Sequence, residues 1–311
     1  MKILVVGLGA HVEKRIIPAL LKIQKVNQIY VLTERIHELI DDNKINLISL
    51  SEIENQQLGF DLIFISNYPS KHLKLFEKVK YFGTKFIIEK PITDNLDQIL
   101  DTDFKSIFEK KVIYESEAYL FHPLYEEVKK VIQQNEVLKI ESSFRVPELP
   151  QDNYRYKKSL GGGSILDQGV YIFSLIVNLF GKDIKLTNYE IEKDSSYEVD
   201  TSGSLTAITS NQIELILSWG INKDYLNELR VYCKDKEYYF PFMYSKPQNY
   251  NSHYFEISNG DSKEISIGNF DQFQIMFEKI LDDKDSYGIF NYDKLKHKYT
   301  LIKKVFDTLE E

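Results

Sequence analysis

The chain has 311 residues, 43% of them hydrophobic and 28% charged, with a formal net charge of -8. That length allows one large domain or two ordinary ones, and the acidic balance makes a poor candidate for general nucleic-acid binding, which needs a basic footprint. A single cysteine, Cys233, excludes an intramolecular disulfide and a cysteine zinc site. The N-terminal apolar run, Ile3 to Val6, is too short for a signal-peptide core. No stretch reads as the ~18 apolar residues of a membrane span, so the expectation is a cytoplasmic protein.

The first third alternates strand-like and helical patterns. Ile3 to Val6 is a β-branched run that ends in Gly7, and a helical face of Val12, Ile16, Ile17, Leu20 and Leu21 follows. Pro18 lies inside that face and should kink the helix or delay its start. Further strands are expected at Ile29–Leu32, Ile45–Leu50, Leu62–Ser66, Phe86–Ile88 and Val112–Tyr114, with a helix from His72 to Tyr81. Continuous apolar strands separated by helices predict a parallel sheet buried on both faces.

The pattern then changes. After a helix over Leu124–Gln134, strand-like runs dominate: Leu138–Phe144, Ser204–Ser210, Ile213–Trp219, Glu228–Cys233 and Glu264–Ile267. Helices are expected near Ile165–Phe180, Gln272–Leu281 and Asp293–Leu309. Strands in succession predict an antiparallel sheet and a second domain of α+β type. The expected fold class is therefore α/β: residues 1–117 as a dinucleotide-binding domain, and 118–311 as a substrate-binding and oligomerisation domain with a large, mostly antiparallel open sheet. Without a low-complexity linker, a tight junction is expected, and clefts at such junctions favour ligands. In Ile213–Ser218 apolar groups fall on both faces, which predicts a sheet face too apolar for a monomer, hence a homodimer or homotetramer.

Gly7-Leu8-Gly9 directly follows the first strand, where glycine permits a tight turn and lets backbone amides, with Ala10, approach a pyrophosphate. Val12 replaces the third glycine of the usual pattern, so an ordinary strand-to-helix turn is the bland alternative. The second strand ends at Thr33-Glu34-Arg35. An acid there takes ribose hydroxyls and a nearby arginine holds a 2′-phosphate; Glu34 favours NAD, while Thr33 and Arg35 suit NADP.

Three further segments are specific in combination: Ser66-Asn67-Tyr68-Pro69-Ser70-Lys71-His72, Glu89-Lys90-Pro91, and Asn153-Tyr154-Arg155 followed by Leu160-Gly161-Gly162-Gly163-Ser164-Ile165-Leu166-Asp167-Gln168-Gly169-Val170-Tyr171. With Gly7-Leu8-Gly9 and Val199-Asp200-Thr201, they resemble the Gfo/Idh/MocA oxidoreductases over nearly the whole chain. The resemblance implies NAD or NADP as cofactor, with contacts from Ser66, Asn67, His72 and Glu89. It also implies hydride transfer at a hydroxyl or keto carbon of a sugar or nucleotide sugar. Tyr171 stands where the family often has histidine, as in its dihydrodiol dehydrogenases and nucleotide-sugar 3-ketoreductases.

Lys90, at the carboxyl end of a parallel strand, is the first acid–base candidate; a surface lysine is the alternative. Tyr171 is the second, against a core tyrosine. Asp167, four residues before it, accepts a substrate hydroxyl, orients Lys90 or caps the helix. Arg155 grips a hydroxyl or phosphate, or forms a surface ion pair. Gly162 and Gly163 let backbone approach the substrate, or form a plain turn. His72 and His122 read as structural supports, and no metal-ligand spacing is present. A non-catalytic NAD(P)-binding sensor on the same fold, or a polyol or dihydrodiol dehydrogenase, is the rival reading. Arg35→Ala should weaken NADP binding more than NAD binding, by about 1.5–3 kcal/mol, if Arg35 reads the 2′-phosphate. Titration with both cofactors checks this, and equal losses would remove Arg35 from that role.

Overall fold

In a computed structural model, which describes residues 1–34, 42–101, 104–107, 111–282 and 292–309, the chain divides into two compact units. One comprises Met1–Ala118 and Gln272–Tyr292, the other Tyr119–Asp271 and Asp293–Glu311. The helix at Gln272–Asp282 thus belongs to the first unit, not to a second domain running unbroken from residue 118. It carries Phe273, Met276, Phe277 and Ile280 on a buried face, and Phe277 meets Phe64 edge-to-face at 5.6 Å.

The first unit is built on six parallel strands: β1 (Lys2–Val6), β2 (Gln28–Leu32), β3 (Ile45–Ile48), β4 (Leu62–Ile65), β5 (Lys85–Ile88) and β6 (Val112–Glu115). Their order is β3-β2-β1-β4-β5-β6. This is the doubly wound order, whose direction reverses beside β1, and ligands bind at such a switch point. Leu62, Ile63, Phe64 and Ile65 are all fully buried, as a strand covered on both faces requires. Pro18 falls in the first turn of the regular helix, as a delayed start requires. The turn before it, Val12–Ile16, widens to π geometry, with the Ile17 amide bonded to the Val12 carbonyl, and α1 (Ile17–Leu21) continues. The wider turn accommodates a residue that has no N–H to donate. Two short helices escaped the periodicity: α2 (Leu50–Asn55), closed by a Ser49/Glu52 capping box, and α4 (Leu96–Leu100), capped by Asn95.

The second unit carries eight strands in the order β14-β13-β12-β11-β7-β10-β9-β8. They are β7 (Val137–Val146), β8 (Lys185–Glu192), β9 (Ser202–Ile208), β10 (Glu214–Ile221), β11 (Leu226–Cys233), β12 (Glu237–Pro241), β13 (Asn251–Ser258) and β14 (Asp261–Asn269). Only the β7–β10 pairing is parallel. Asn259 and Gly260, both at positive φ, close the β13–β14 hairpin. Leu205, Leu217, Ser142, Leu229 and Phe240 form one buried cross-strand row. The helical stretch Lys158–Phe180 packs against this sheet. Its length and composition would also suit a membrane span, but 78% of its most apolar window is buried inside the fold, as for a core helix.

The opposite row reads Thr206, Ile216, Glu141, Arg230, Tyr239 and Phe255. Arg230 pairs with Glu237 at 2.5 Å and lies 4.2 Å from the Tyr239 ring. Lys139 pairs with Glu141 at 2.7 Å and lies 4.2 Å from the Tyr232 ring. The expected apolar face is therefore aromatic and charged. Ile216, 37% exposed, stands between Thr206 and Glu141.

Candidate active site

In the first unit the site begins with Gly7. It has φ +101°, and its amide donates to the Leu32 carbonyl at 2.9 Å. A Cβ there would lie 1.9 Å from the Ser66 carbonyl oxygen, so no other residue fits. At Gly9 a Cβ would meet nothing within 4 Å. The first glycine is thus fixed by the protein's own packing, while the second opens onto space that an approaching diphosphate can use. Ala10 begins the helix that follows. Thr33 is half-buried and Glu34 exposed just beyond β2; Arg35 lies outside the described residues.

The neighbouring strand ends are tied together. The Ser66 amide bonds to the Val6 carbonyl at 2.9 Å, that of Glu89 to Ile65 at 2.9 Å, and that of Ser116 to Ile88 at 2.8 Å. Fully buried His72 spans two of the resulting loops, with Nδ1 2.8 Å from the Pro91 carbonyl oxygen and Nε2 2.9 Å from that of Asn67. Burial pushes its pKa down, against the pull of those carbonyls. His72 is thus a tie between the Asn67 loop and the Lys90-Pro91 turn rather than a group aimed at ligand. The Ile92 amide is held by Glu115 at 2.8 Å. Glu89 accepts from Ser116 Oγ at 2.7 Å and stands 3.5 Å from His11 Nε2. Its pKa is lowered: burial raises it, and the hydrogen bonds and charge of His11, with Ser116, overcome that. Lys90 follows, half-buried.

In the second unit, Arg155 and Asp167 find each other. The guanidinium Nε donates to Asp167 Oδ2, which also accepts from Gln168 Nε2 at 2.6 Å. Asp167 is only 8% exposed, and its charge is the first cause of a raised Arg155 pKa; Tyr154 and Tyr171 contribute too. Arg155 is therefore held by a carboxylate. The expected Asp167-to-Tyr171 α turn is replaced by a π turn at Ile165–Gly169, leading into α6 (Val170–Phe180). Such turns recur at functional sites.

Gly162 and Gly163 have internal reasons to be glycine. A Cβ on Gly162 would lie 2.5 Å from the Arg155 carbonyl oxygen and 2.7 Å from that of Tyr154. One on Gly163, at φ +121°, would lie 2.4 Å from Asp200 Oδ1. Gly162 is thus fixed by the Tyr154–Arg155 backbone and Gly163 by Asp200, whatever either also offers to substrate.

Tyr171 is half-buried among Tyr119, Phe144 and Tyr244, at ring separations of 5.8, 5.2 and 5.7 Å. Two of those neighbours have their hydroxyls engaged within the core: Tyr119 donates to Ser174 at 2.8 Å, and Tyr244 lies 2.7 Å from Ser142 Oγ. His122 accepts the Leu124 amide at 3.0 Å and caps the helix Pro123–Gln134. Burial, with nearby Lys246, pushes its pKa down to about 3, in keeping with a structural role.

A doubly wound parallel-sheet unit and an open-sheet α+β unit on one chain define the fold class. Within it, residues 125–238 match the GFO/IDH/MocA C-terminal domain. It is 23% identical over 170 residues to a dTDP-3,4-didehydro-2,6-dideoxy-alpha-D-glucose 3-reductase of Actinomadura kijaniata, covering 54% of this chain and 51% of the relative. A Streptomyces violaceoruber enzyme of the same name is 27% identical over 152 residues, covering 46% and 43%. The chain thus spans about half the length of the curated relatives it matches. A 3-ketoreductase from A. kijaniata, solved with NADP and TDP-benzene, superposes with a TM-score of 0.86 at 18% identity, covering 98% and 96% of the two chains. An aldose-aldose oxidoreductase from Caulobacter crescentus, solved with glycerol, gives 0.84 at 14%, covering 100% and 97%. At these identities the structural likeness is one of fold.

Asp200, noted in the sequence only within the segment Val199-Asp200-Thr201, is 1% exposed, and burial pushes its pKa up to about 6 despite the bonds from Ser164 and Ile165. An acid whose pKa is higher folded than unfolded holds its proton more tightly in the native state. Its contribution to stability is full below the ordinary carboxylate range and is lost as pH rises through about 6, a change of roughly 3 kcal/mol. Asp200→Asn, neutral throughout, should therefore melt above wild type beyond pH 6, with the gap closing as the pH falls toward ~4. Calorimetry across that range tests the sign; a wild-type advantage growing with pH would reverse it.

Proposed function

We propose that this chain is an NAD(P)-dependent oxidoreductase acting on a hydroxyl or keto carbon of a sugar or nucleotide sugar, in the manner of a 3-ketoreductase. The observation that carries the reading is the strand edge of the first unit. A phosphate-loop turn leaves space over Gly9, and the Glu89-Lys90-Pro91 turn beside it is tied down by His72, Glu115 and Ser116. Rigid support of this kind suits a group that must meet a reacting atom. The names of the relatives support a dTDP-linked keto sugar as substrate class. NADP in the structures of the 3-ketoreductase supports NADP or NAD as cofactor. That enzyme was also solved with a tyrosine changed to phenylalanine and with a lysine changed to alanine or glutamate, the two residue types assigned to acid–base work here.

Gly7, Gly9 and Ala10 would hold the diphosphate, Thr33, Glu34 and Arg35 the adenosine ribose, and Ser66 and Asn67 the loop facing the nicotinamide half. A nicotinamide held by these residues would supply or take up the hydride. As a ketone is reduced, negative charge grows on its oxygen. Tyr171 would give that oxygen a proton, with the Lys90 ammonium as the cation proposed to stabilise the charge. In the oxidative direction the same groups take the hydroxyl proton. Arg155, aligned by Asp167, offers charge-assisted hydrogen bonds to a substrate hydroxyl or phosphate.

Lys90→Met should lower kcat about 10²–10⁴-fold while leaving cofactor affinity nearly intact, because the diphosphate is held on a different strand end. Tyr171→Phe should cost a similar factor, and the double variant should be no worse than the weaker single one if the two act as a unit. Following NADPH consumption with a dTDP-linked 3-keto sugar reads these effects. Full turnover in Lys90→Met would end the mechanism, and cofactor binding without turnover on any keto sugar or polyol would favour a sensor. Arg230, Tyr239 and Phe255 in one row of the second sheet support pairing between copies as a homodimer or homotetramer, since such residue types anchor interfaces. Light scattering at micromolar concentration should show more than one chain, and a monomer would refute it.

A further inference from the structure

Asp200 precedes β9 by two residues and lies wholly inside the second unit. Its Oδ2 accepts from Ser164 Oγ at 2.5 Å and from the Ile165 amide at 2.7 Å. Its backbone carbonyl accepts the Ser164 amide at 3.0 Å. One residue therefore holds the start of the Ile165–Phe180 helix at three points. The other carboxylate oxygen, Oδ1, is buried without a hydrogen-bond partner. It occupies the space that a side chain on Gly163 would need.

The ties continue from this turn to the groups that face substrate. The Gly163 carbonyl accepts the Asp167 amide at 3.1 Å, and the Gly163 amide donates to the Arg155 carbonyl at 2.9 Å. The backbones of both members of the Arg155–Asp167 pair thus hang on the residue packed against Asp200. Tyr171 lies one residue into the α6 segment that follows the π turn.

We propose that Asp200 is a positioning residue for the reaction: by fixing Gly163–Ile165 it sets the placement of the Arg155–Asp167 pair and of Tyr171. The proposal rests on the reading of those three side chains as the substrate-facing half of the site. A helix start needs only a side-chain acceptor, and a neutral serine or asparagine provides one. Asp200 does more than cap, because the same turn also carries the hydrogen bonds of Asp167 and Arg155.

The chain contains its own reporter. Trp219, the only tryptophan, packs against this helix: a Cβ on Gly169 would lie 3.3 Å from its ring, and the Phe173 ring is 5.6 Å away. In the full chain, Asp200→Ala should shift Trp219 emission and lower kcat about 10–100-fold, with KM for a dTDP-linked 3-keto sugar changed far less. Asp200→Asn keeps an acceptor for Ser164 and Ile165 and should return both readouts close to wild type. Ser164→Ala removes one tie with Asp200 in place, and should move both in the same direction by less; it serves if the alanine variant does not fold. Wild-type emission and kcat within about twofold in Asp200→Ala, or in Ser164→Ala where that variant stands in, would overturn the proposal. So would an Asp200→Asn protein with wild-type emission and lost turnover, since activity would then fail without displacement. If wild type itself turns over no nucleotide sugar, the proposed function falls, and Trp219 emission alone still decides whether Asp200 sets the helix.

Discussion

Parallel pairing places the carboxyl ends of neighbouring strands on one edge of a sheet. In the first unit β1 has a parallel neighbour on each side, β2 and β4, and β4 is followed outward by β5 and β6. Four loops far apart in sequence therefore leave the same edge: Gly7–Ala10, Ser66–His72, Glu89–Pro91 and the turn at Ser116. Their amides extend the ladder one step beyond the strands, so the register of the sheet also sets the loops. Everything proposed for cofactor and lysine chemistry depends on that edge.

The second unit meets a different constraint. Its acid and its cation are buried or half-buried and need partners, since an unpaired buried charge is costly. Arg155 and Asp167 meet this need mutually, with Gln168 adding a second donor to the carboxylate. The π turn and the two tightly packed glycines bring the Arg155 segment against the helix start. Asp200 carries a cost that its neighbours do not remove, because one of its oxygens stays without a donor. Buried polar groups of this kind often accompany function, where placement outweighs stability.

The comparisons and the geometry bear on different parts of the reading. The family match covers the core of the second unit, where the Arg155–Asp167 pair and Tyr171 reside. The superpositions cover nearly the whole chain and show its fold. The roles proposed for Lys90 and Tyr171 rest on the resemblance carried by Glu89-Lys90-Pro91 and Asp167–Tyr171; the structure puts Lys90 at a tied strand end and Tyr171 in an aromatic enclosure.

The sequence by itself determined the elements whose signal is local. The apolar runs of β1, β4 and β5 could only be covered strands, Gly7 had to turn the chain, and Glu89-Lys90-Pro91 had to follow a strand end. The strands β8, β12 and β13 were not legible, because glutamate, tyrosine and serine obscure their alternation; β8 is largely exposed. The capping box at Ser49 and Glu52 was present in the sequence but lay against a short, mostly polar helix. Only tertiary structure decided that the helix Gln272–Asp282 joins the first unit, and that Ile216 sits in a charged row. It also decided that Asp167 is bound to Arg155, and that Gly162 and Gly163 make room for backbone and for Asp200. Each of these depends on groups 7 to 213 positions apart reaching contact distance. Local propensity has no access to such pairings; the packing of the whole unit fixes them.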